Sequence, residues 1–109
     1  FHCELMRSAT IKMKKIINDQ KLESPKYRVV SNVTAEEYEN IDEIKQLLIK
    51  QIESPVRWRE SVENMISKGT STFVEIGPGK VLSGLIKRIN KEVKVLNIDT
   101  LEDIQEINL

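Results

Sequence analysis

The sequence predicts an α/β fold with a parallel sheet, in the element order α-β-α-α-β-α-β. The first observation is the apolar segment 72–76, which passes through Gly77-Pro78-Gly79 directly into a helical pattern. Strand–turn–helix units of this kind build sites at the carboxyl ends of parallel strands. The second observation is that short β-rich runs alternate with helical periods, which favours parallel strands joined by right-handed crossovers. Because the predicted strands are short and few, we expect this chain to complete a larger sheet.

The first two predicted elements are a helix over residues 4–19 and a strand over residues 27–33. The helix rests on an apolar stripe at helical spacing, made of Leu5, Ala9, Met13, Ile16 and Ile17. Ser24-Pro25 then interrupts the helix, because the residue before proline avoids the α region. Residues 27–33 are short and β-rich, which indicates a strand.

Two further helices are predicted in the middle of the chain. Asn40 with Glu43 resembles a capping box, and the apolar residues that follow it share one face: Ile41, Ile44, Leu48 and Ile52. Ser54-Pro55 predicts the next helix start, since serine is a good N-cap and proline fits the first helical position. Gly69 is the predicted end of that helix.

The last third of the chain predicts a strand over 72–76, a helix over about 79–90 and a strand over 93–98. The last strand alternates in side-chain character, which suits an edge position. Residues 99–109 give no clear prediction.

Composition narrows the class of protein. The 109 residues carry 17 basic and 17 acidic side chains, so the formal net charge is zero. This balance provides no excess of positive charge that would indicate binding to nucleic acid or to a membrane surface. No apolar run approaches the length of a membrane span. The single cysteine, Cys3, cannot form an internal disulfide, and a reducing cytoplasmic setting is the simplest expectation.

Few residues could carry chemistry. His2 is the only histidine and the natural general base, although a surface histidine is the simpler interpretation from residue type alone. No serine lies in a G-x-S-x-G elbow. Cys3 is adjacent to His2, and neighbouring helical residues point about 100° apart, so a spectator thiol is expected. One histidine and one cysteine make no metal cluster.

The Gly77-Pro78-Gly79 turn leaves two alternatives open. Its backbone N–H groups could face an anion at a helix start, or the turn could be tight and without a ligand. Glu75 stands in an apolar strand, where an unpaired charge is costly. Either Glu75 points to a rim, or a basic group such as Lys80 or Arg57 pairs with it, and we expect the structural pair.

Four segments of the chain form one pattern: F-H-C-E-L-M, V-V-S-N-V-T-A, Q-I-E-S-P-V-R-W-R-E-S-V-E-N-M-I and F-V-E-I-G-P-G-K-V-L-S-G-L-I-K-R-I. Together they resemble the C-terminal part of malonyl-CoA:acyl carrier protein transacylase. The resemblance covers about residues 1–100 in the order and spacing of the family. It implies the C-terminal portion of an α/β-hydrolase-like acyltransferase core, and a bacterial enzyme of fatty-acid synthesis.

The resemblance also implies a mechanism and site residues. A serine would take malonyl from coenzyme A and pass it to the phosphopantetheine thiol of acyl carrier protein, in a ping-pong reaction. His2 maps onto the catalytic histidine, and Gln51 onto the residue whose main-chain carbonyl orients it. No cofactor is implied, since the coenzyme A thioester is a substrate.

The resemblance further implies what lies outside these 109 residues. The serine elbow, the oxyanion-hole groups, the malonyl-binding arginine and a ferredoxin-like subdomain belong upstream of His2 in the family. We therefore expect residues 1–109 to be a C-terminal fragment of the large acyltransferase domain, inactive without the remainder of that chain. Two alternatives stay open: a piece of a polyketide synthase acyltransferase domain, and a non-catalytic module that docks acyl carrier protein through Lys87, Arg88 and Lys91.

Overall fold

A computed structural model describes residues 3–107, and the chain divides into two compact units, Phe1–Ser61 and Val62–Leu109. The helices are a 3-10 turn Glu4–Met6, α1 Arg7–Asp19, α2 Ile41–Lys50, α3 Trp58–Ser67, α4 Val81–Ile89 and α5 Leu101–Glu106. The strands are β1 Thr72–Ile76 and β2 Lys94–Ile98. In this described part of the chain, no helix is both long and apolar enough to cross a membrane.

In the first unit, α1 packs against α2. Ile44, a member of the predicted apolar stripe of α2, is buried, and so is Leu47, which was not predicted to be in that stripe. The ammonium group of Lys45 donates hydrogen bonds to the carbonyls of Asn18 and Gln20, at 3.2 and 2.6 Å. The last carbonyls of a helix lack intrahelical partners, so a lysine from α2 satisfies the end of α1.

The predicted helix start at Asn40 is confirmed, but only one half of the capping box forms. The side-chain oxygen of Asn40 accepts the Glu43 N–H at 2.9 Å, whereas the Glu43 carboxylate accepts the N–H of Glu39, at 2.7 Å, in place of that of Asn40. One N–H group that the helix start leaves without an intrahelical partner is thereby satisfied.

The predicted strand over 27–33 is not formed. Only one antiparallel bridge, Val30 with Glu37, is present there among the described residues. Ser31 is fully buried, and its side-chain oxygen accepts the Val33 N–H at 3.1 Å while its carbonyl accepts the Ala35 N–H at 2.9 Å. A serine that bonds to its own neighbouring backbone favours a turn over a strand. The chain therefore reverses at residues 32–35, where β propensity predicted that it would continue.

The predicted helix start at Ser54-Pro55 is also wrong. The Ser54 hydroxyl donates to the Lys50 carbonyl at 2.7 Å, so it serves the end of α2 and does not cap a new helix. The next helix, α3, begins at Trp58. A serine followed by proline can either cap a new helix or bond to the end of the preceding one. Here the Ser54 hydroxyl bonds to the end of α2.

The second unit contains a parallel β1–α4–β2 arrangement, as predicted. Thr72 pairs with Lys94, and the register continues to Ile76 with Ile98. The strand 72–76 is confirmed at both ends, and β2 begins one residue later than predicted. Gly77 and Gly79 have φ values of +133° and +85°, which only glycine adopts readily, and they turn the chain from β1 into α4.

Helix α5 was not predicted. The Thr100 hydroxyl accepts the Asp103 N–H at 3.1 Å, and the Asp103 carboxylate accepts the Thr100 N–H at 3.0 Å. This reciprocal capping box starts a helix of only 6 residues. Its shortness explains why no helical period is visible in residues 99–109.

Candidate functional site

His2 lies outside the described residues, so its catalytic role stays a prediction. The described chain begins next to it, at Cys3, which is half-buried with a free thiol. The Cys3 carbonyl accepts the Met6 N–H at 3.0 Å and opens the 3-10 turn that continues into α1. The residue that follows His2 is therefore the extended N-cap of this 3-10 turn, and its carbonyl is held by the first hydrogen bond of the turn. Residues 3–107 contain no group of three or more side chains that could hold a metal ion.

Gln51 lies at the C-terminal end of α2, where its backbone is still helical. Its N–H donates to the Leu47 carbonyl at 2.9 Å. Its carbonyl accepts the Ser54 N–H at 3.4 Å, a long hydrogen bond. Carbonyls at a helix C-terminus also carry the negative end of the helix dipole. The orienting role of Gln51 toward His2 stays a prediction.

An ion pair links the start of α1 to the turn that follows Gln51. The Arg7 Nε lies 3.0 Å from a carboxylate oxygen of Glu53. The Glu53 side chain is only 18% exposed, whereas that of Arg7 is 72% exposed. The pair therefore joins the two segments in which the candidate residues occur.

Arg57 connects two of the four motifs. Its guanidinium donates to the Val33 and Thr34 carbonyls at 3.4 and 3.2 Å, and its N–H donates to the Asn32 carbonyl at 3.0 Å. The turn of V-V-S-N-V-T-A is thereby held by the arginine of S-P-V-R-W.

Arg57 also forms an ion pair with Glu60. This hydrogen bond raises the pKa of Arg57 and lowers the pKa of Glu60. The prediction that Arg57 or Lys80 pairs with Glu75 is wrong, because neutral donors hold Glu75.

The Glu75 carboxylate is the centre of a polar cluster in the second unit. It accepts the Ser83 hydroxyl at 2.7 Å, the Ser83 N–H at 2.9 Å, the Asn97 side-chain amide at 3.2 Å and the Leu82 N–H at 3.3 Å. The Asn97 amide also donates to the Ser83 hydroxyl oxygen. These hydrogen bonds, the Ser83 hydroxyl first, hold the pKa of Glu75 below its ordinary value.

The same cluster decides between the two interpretations of the glycine turn. The N–H groups of Leu82 and Ser83 belong to the first turn of α4, where an external anion would bind. They bind the chain's own carboxylate. The tight-turn interpretation of Gly77-Pro78-Gly79 is therefore the one that fits the hydrogen bonding.

Sequence reasoning missed the partners of Glu75. A signal was present, because aligning the two predicted strands in parallel places Glu75 opposite Asn97. Ser83 could not be found in this way, since its approach depends on how the glycine turn directs α4. The Arg7–Glu53 pair had no signal, because opposite charges far apart in sequence are common.

Comparison with known proteins gives relatives over nearly the whole chain. The malonyl CoA-acyl carrier protein transacylase of Bacillus subtilis is 42% identical over 105 residues, covering 96% of this chain and 33% of the relative. The enzyme of the same name from Staphylococcus aureus strain COL is 44% identical over 108 residues, covering 99% and 35%. The chain thus spans about a third of the length of these relatives. No family model matches the chain.

Solved structures give the same result. The malonyl CoA-acyl carrier protein transacylase of Clostridium perfringens superposes with a TM-score of 0.89 at 40% identity, covering 97% of this chain and 34% of that one. A malonyl-transacylase solved with its type II polyketide synthase acyl-carrier protein superposes with a TM-score of 0.87 at 35% identity, covering 95% and 34%.

The fold is therefore that of an α/β acyltransferase, of which this chain covers the C-terminal part. The resemblance to malonyl-CoA:acyl carrier protein transacylases, which the four motifs carry, is confirmed by both the sequence and the structural relatives.

Proposed function

We propose that this chain serves malonyl transfer from malonyl-CoA to the phosphopantetheine thiol of acyl carrier protein in fatty-acid synthesis. The observation that carries the proposal is the similarity to the Staphylococcus aureus transacylase over 108 of the 109 residues, a stretch that includes His2 and Gln51. The alternative of a polyketide synthase acyltransferase domain would differ mainly in the upstream sequence that selects the acyl group.

The proposed chemistry has two balanced half-reactions. In the first, His2 takes the proton of an upstream serine hydroxyl, the serine oxygen attacks the malonyl thioester, and coenzyme A leaves with that proton. In the second, His2 takes the proton of the phosphopantetheine thiol, the sulfur attacks the seryl ester, and the serine oxygen regains the proton. No resident cofactor takes part in either step.

The proposed role of Gln51 is to orient the imidazole. A main-chain carbonyl can only accept, so it fixes a proton on the ring nitrogen that faces it and leaves the other nitrogen as the base. The place of Gln51 at the C-terminal end of α2 supports this role, because carbonyls there carry the negative end of the helix dipole.

We further propose that residues 1–109 form part of a larger acyltransferase domain. Three observations support this. The sheet of the described residues has two strands. Two apolar side chains, Ile76 at the end of β1 and Val81 at the start of α4, are 78% and 74% exposed. The buried indole N–H of Trp58 has no acceptor among residues 3–107. Parallel sheets are normally covered on both faces, and buried donors are normally paired.

Intact mass measurement under denaturing conditions tests the proposal. The longer polypeptide that joins an upstream serine segment to residues 1–109 is called the full-length enzyme below. Exposure to malonyl-CoA should add one malonyl group to it, and acyl carrier protein bearing a free phosphopantetheine thiol should remove that group. The 109-residue chain alone should gain nothing. An adduct on the 109-residue chain, or none on the full-length enzyme, would contradict the proposal.

A second candidate function is docking of acyl carrier protein without chemistry, and the complex of the related malonyl-transacylase with its carrier protein favours testing it. The Lys87 ammonium already donates hydrogen bonds within the chain, to the carbonyls of Lys91 and Val93 in the segment that follows α4. Arg88 and Lys91 are exposed and available to an acidic partner.

If the last turn of α4 docks the carrier protein, Arg88→Glu should weaken binding by the full-length enzyme on the order of tenfold at low salt, because it reverses a charge at the contact. Lys12→Glu, a charge-matched change at an exposed residue of α1, should leave the affinity near wild type. Titration at two salt concentrations measures this, and the affinity difference should shrink at the higher one. Equal affinities for the wild type and Arg88→Glu would dismiss this docking surface.

A further inference from the structure

We propose that Arg7 and Glu53 are positioning residues for the His2–Gln51 pair. The proposal rests on the proposed function, because it takes His2 as the base and the Gln51 carbonyl as the group that orients it. Arg7 follows His2 by five residues, and Glu53 follows Gln51 by two. The 3.0 Å contact between the Arg7 Nε and the Glu53 carboxylate therefore ties together the two segments in which the pair occurs.

Arg7 is connected to the residue after His2 by the two hydrogen bonds of the 3-10 turn Glu4–Met6. The Arg7 N–H donates to the Glu4 carbonyl, and the Met6 N–H donates to the Cys3 carbonyl at 3.0 Å. The Thr10 hydroxyl, largely buried, donates to the Met6 carbonyl at 3.2 Å. A displacement of Arg7 would consequently be transmitted to Cys3, next to the catalytic base.

Glu53 is connected to the Gln51 carbonyl by an equally short path. The Glu53 N–H donates to the Lys50 carbonyl at 3.3 Å, and the Ser54 N–H donates to the Gln51 carbonyl at 3.4 Å. The Ser54 hydroxyl adds a bond of 2.7 Å to the Lys50 carbonyl. These bonds fix the turn, so the direction of the Gln51 carbonyl depends on where Glu53 is held.

The location of the pair argues for positioning more than for stability. Exposed ion pairs contribute little to folding, and Arg7 is 72% exposed. The far end of α1 is already tied to α2 by Lys45, whereas Arg7 and Glu53 tie the near end, where His2 precedes the helix. Misplacing a catalytic base by a fraction of an ångström lowers the rate without changing substrate affinity.

A matched control exists in the same unit. Arg28 and Glu37 form an ion pair at 3.3 Å, with side chains 71% and 29% exposed. That pair lies beside the Val30–Glu37 bridge and is remote in sequence from His2 and Gln51. Removing either arginine deletes one exposed partner of one ion pair, so any difference between the two variants reflects location.

The test is single-turnover acylation of the full-length enzyme by excess malonyl-CoA, which separates the rate constant from the amplitude. Arg7→Gln and Glu53→Gln should each lower the rate constant about tenfold, with unchanged amplitude and unchanged KM for malonyl-CoA. The exchanged pair Arg7→Glu with Glu53→Arg should recover most of the lost rate. Arg28→Gln should behave as wild type.

Several outcomes would overturn the proposal. A lower amplitude with an unchanged rate constant would mean that the pair only stabilises the fold. The proposal would also be overturned if Arg28→Gln lost as much of the acylation rate as Arg7→Gln, or if the exchanged pair recovered none of the lost rate. His2→Ala separates this inference from the proposed function: if that variant is inactive while Arg7→Gln matches wild type, the positioning role alone fails. If His2→Ala retains turnover, the proposed function fails first.

Discussion

Replacing His2 by alanine in the full-length enzyme is expected to lower kcat for malonyl transfer by about 10³-fold or more. Alanine cannot accept the serine proton, and a positioned general base contributes up to about 10⁴-fold. The loss should appear in both half-reactions, because in the proposed mechanism the same imidazole serves the serine and the phosphopantetheine thiol. KM for malonyl-CoA should change little, since the imidazole acts on protons and is not needed to bind the acyl group.

The control for this variant is Cys3→Ser, which changes the adjacent residue and should keep near-normal turnover. Steady-state transfer to acyl carrier protein measures both variants, and malonyl-seryl enzyme formation shows which half-reaction is affected. Near-normal turnover in His2→Ala would remove the Ser-His mechanism. A loss in Cys3→Ser as large as that in His2→Ala would instead place chemistry on the thiol.

The elements that the sequence predicted correctly are those whose signals are local. Residues 72–76 form a strand because an apolar run meets a glycine turn, and Asn40 starts a helix because its side chain accepts the Glu43 N–H. Both signals involve residues within a few positions of each other. The resemblance to a known family came from the four motifs, because secondary-structure signals alone do not specify a family.

The predictions that failed depend on competition between neighbours. Residues 27–33 have the composition of a strand, but Ser31 offers its own hydroxyl and carbonyl to a turn, and Arg57 holds that turn from beyond the next helix. Ser54 is a good N-cap by residue type, yet the end of α2 takes its hydroxyl. In each case a polar side chain had two possible partners, and only the folded chain selects one.

Glu75 shows the same limitation for a charge. A carboxylate in an apolar strand requires compensation, and the sequence indicated that need correctly. It did not indicate the start of α4 as a donor, and it brings in Asn97 of β2 only once the two strands are paired in the right register. This compensation uses neutral groups and a helix N-terminus, so charge counting along the chain could not find it.

The hydrogen bonding around Glu75 makes the fold sensitive to acid, and Glu75→Gln is expected to remove part of that sensitivity. The pKa of Glu75 is lowered in the folded chain, so the ionised carboxylate stabilises the fold. This contribution is complete above the unfolded pKa of about 4.3 and is lost as the pH falls through the lower folded value. The wild type should therefore lose stability progressively below about pH 5.

In Glu75→Gln, the amide oxygen can still accept hydrogen bonds. The amide N–H₂, however, replaces an oxygen that accepts from backbone N–H groups, so a donor then faces a donor. The substitution also removes the negative charge at the start of α4. At pH 7 the unfolding midpoint should fall by about 5 °C or more. On acidification the difference from wild type should shrink, because protonation removes the same charge from Glu75.

Thermal unfolding of the wild type and of Glu75→Gln, at neutral and at acidic pH, measures this difference. Glu92→Gln is the control, because it changes an exposed carboxylate of the same unit. Some acid sensitivity should persist in Glu75→Gln, since the backbone N–H groups of Asp99 and Thr100 also lower the pKa of Asp103. A midpoint loss that stays constant from neutral to acidic pH would mean that the shape of the side chain matters and its charge does not. In that case the carboxylate would no longer explain how β1, α4 and β2 are held together.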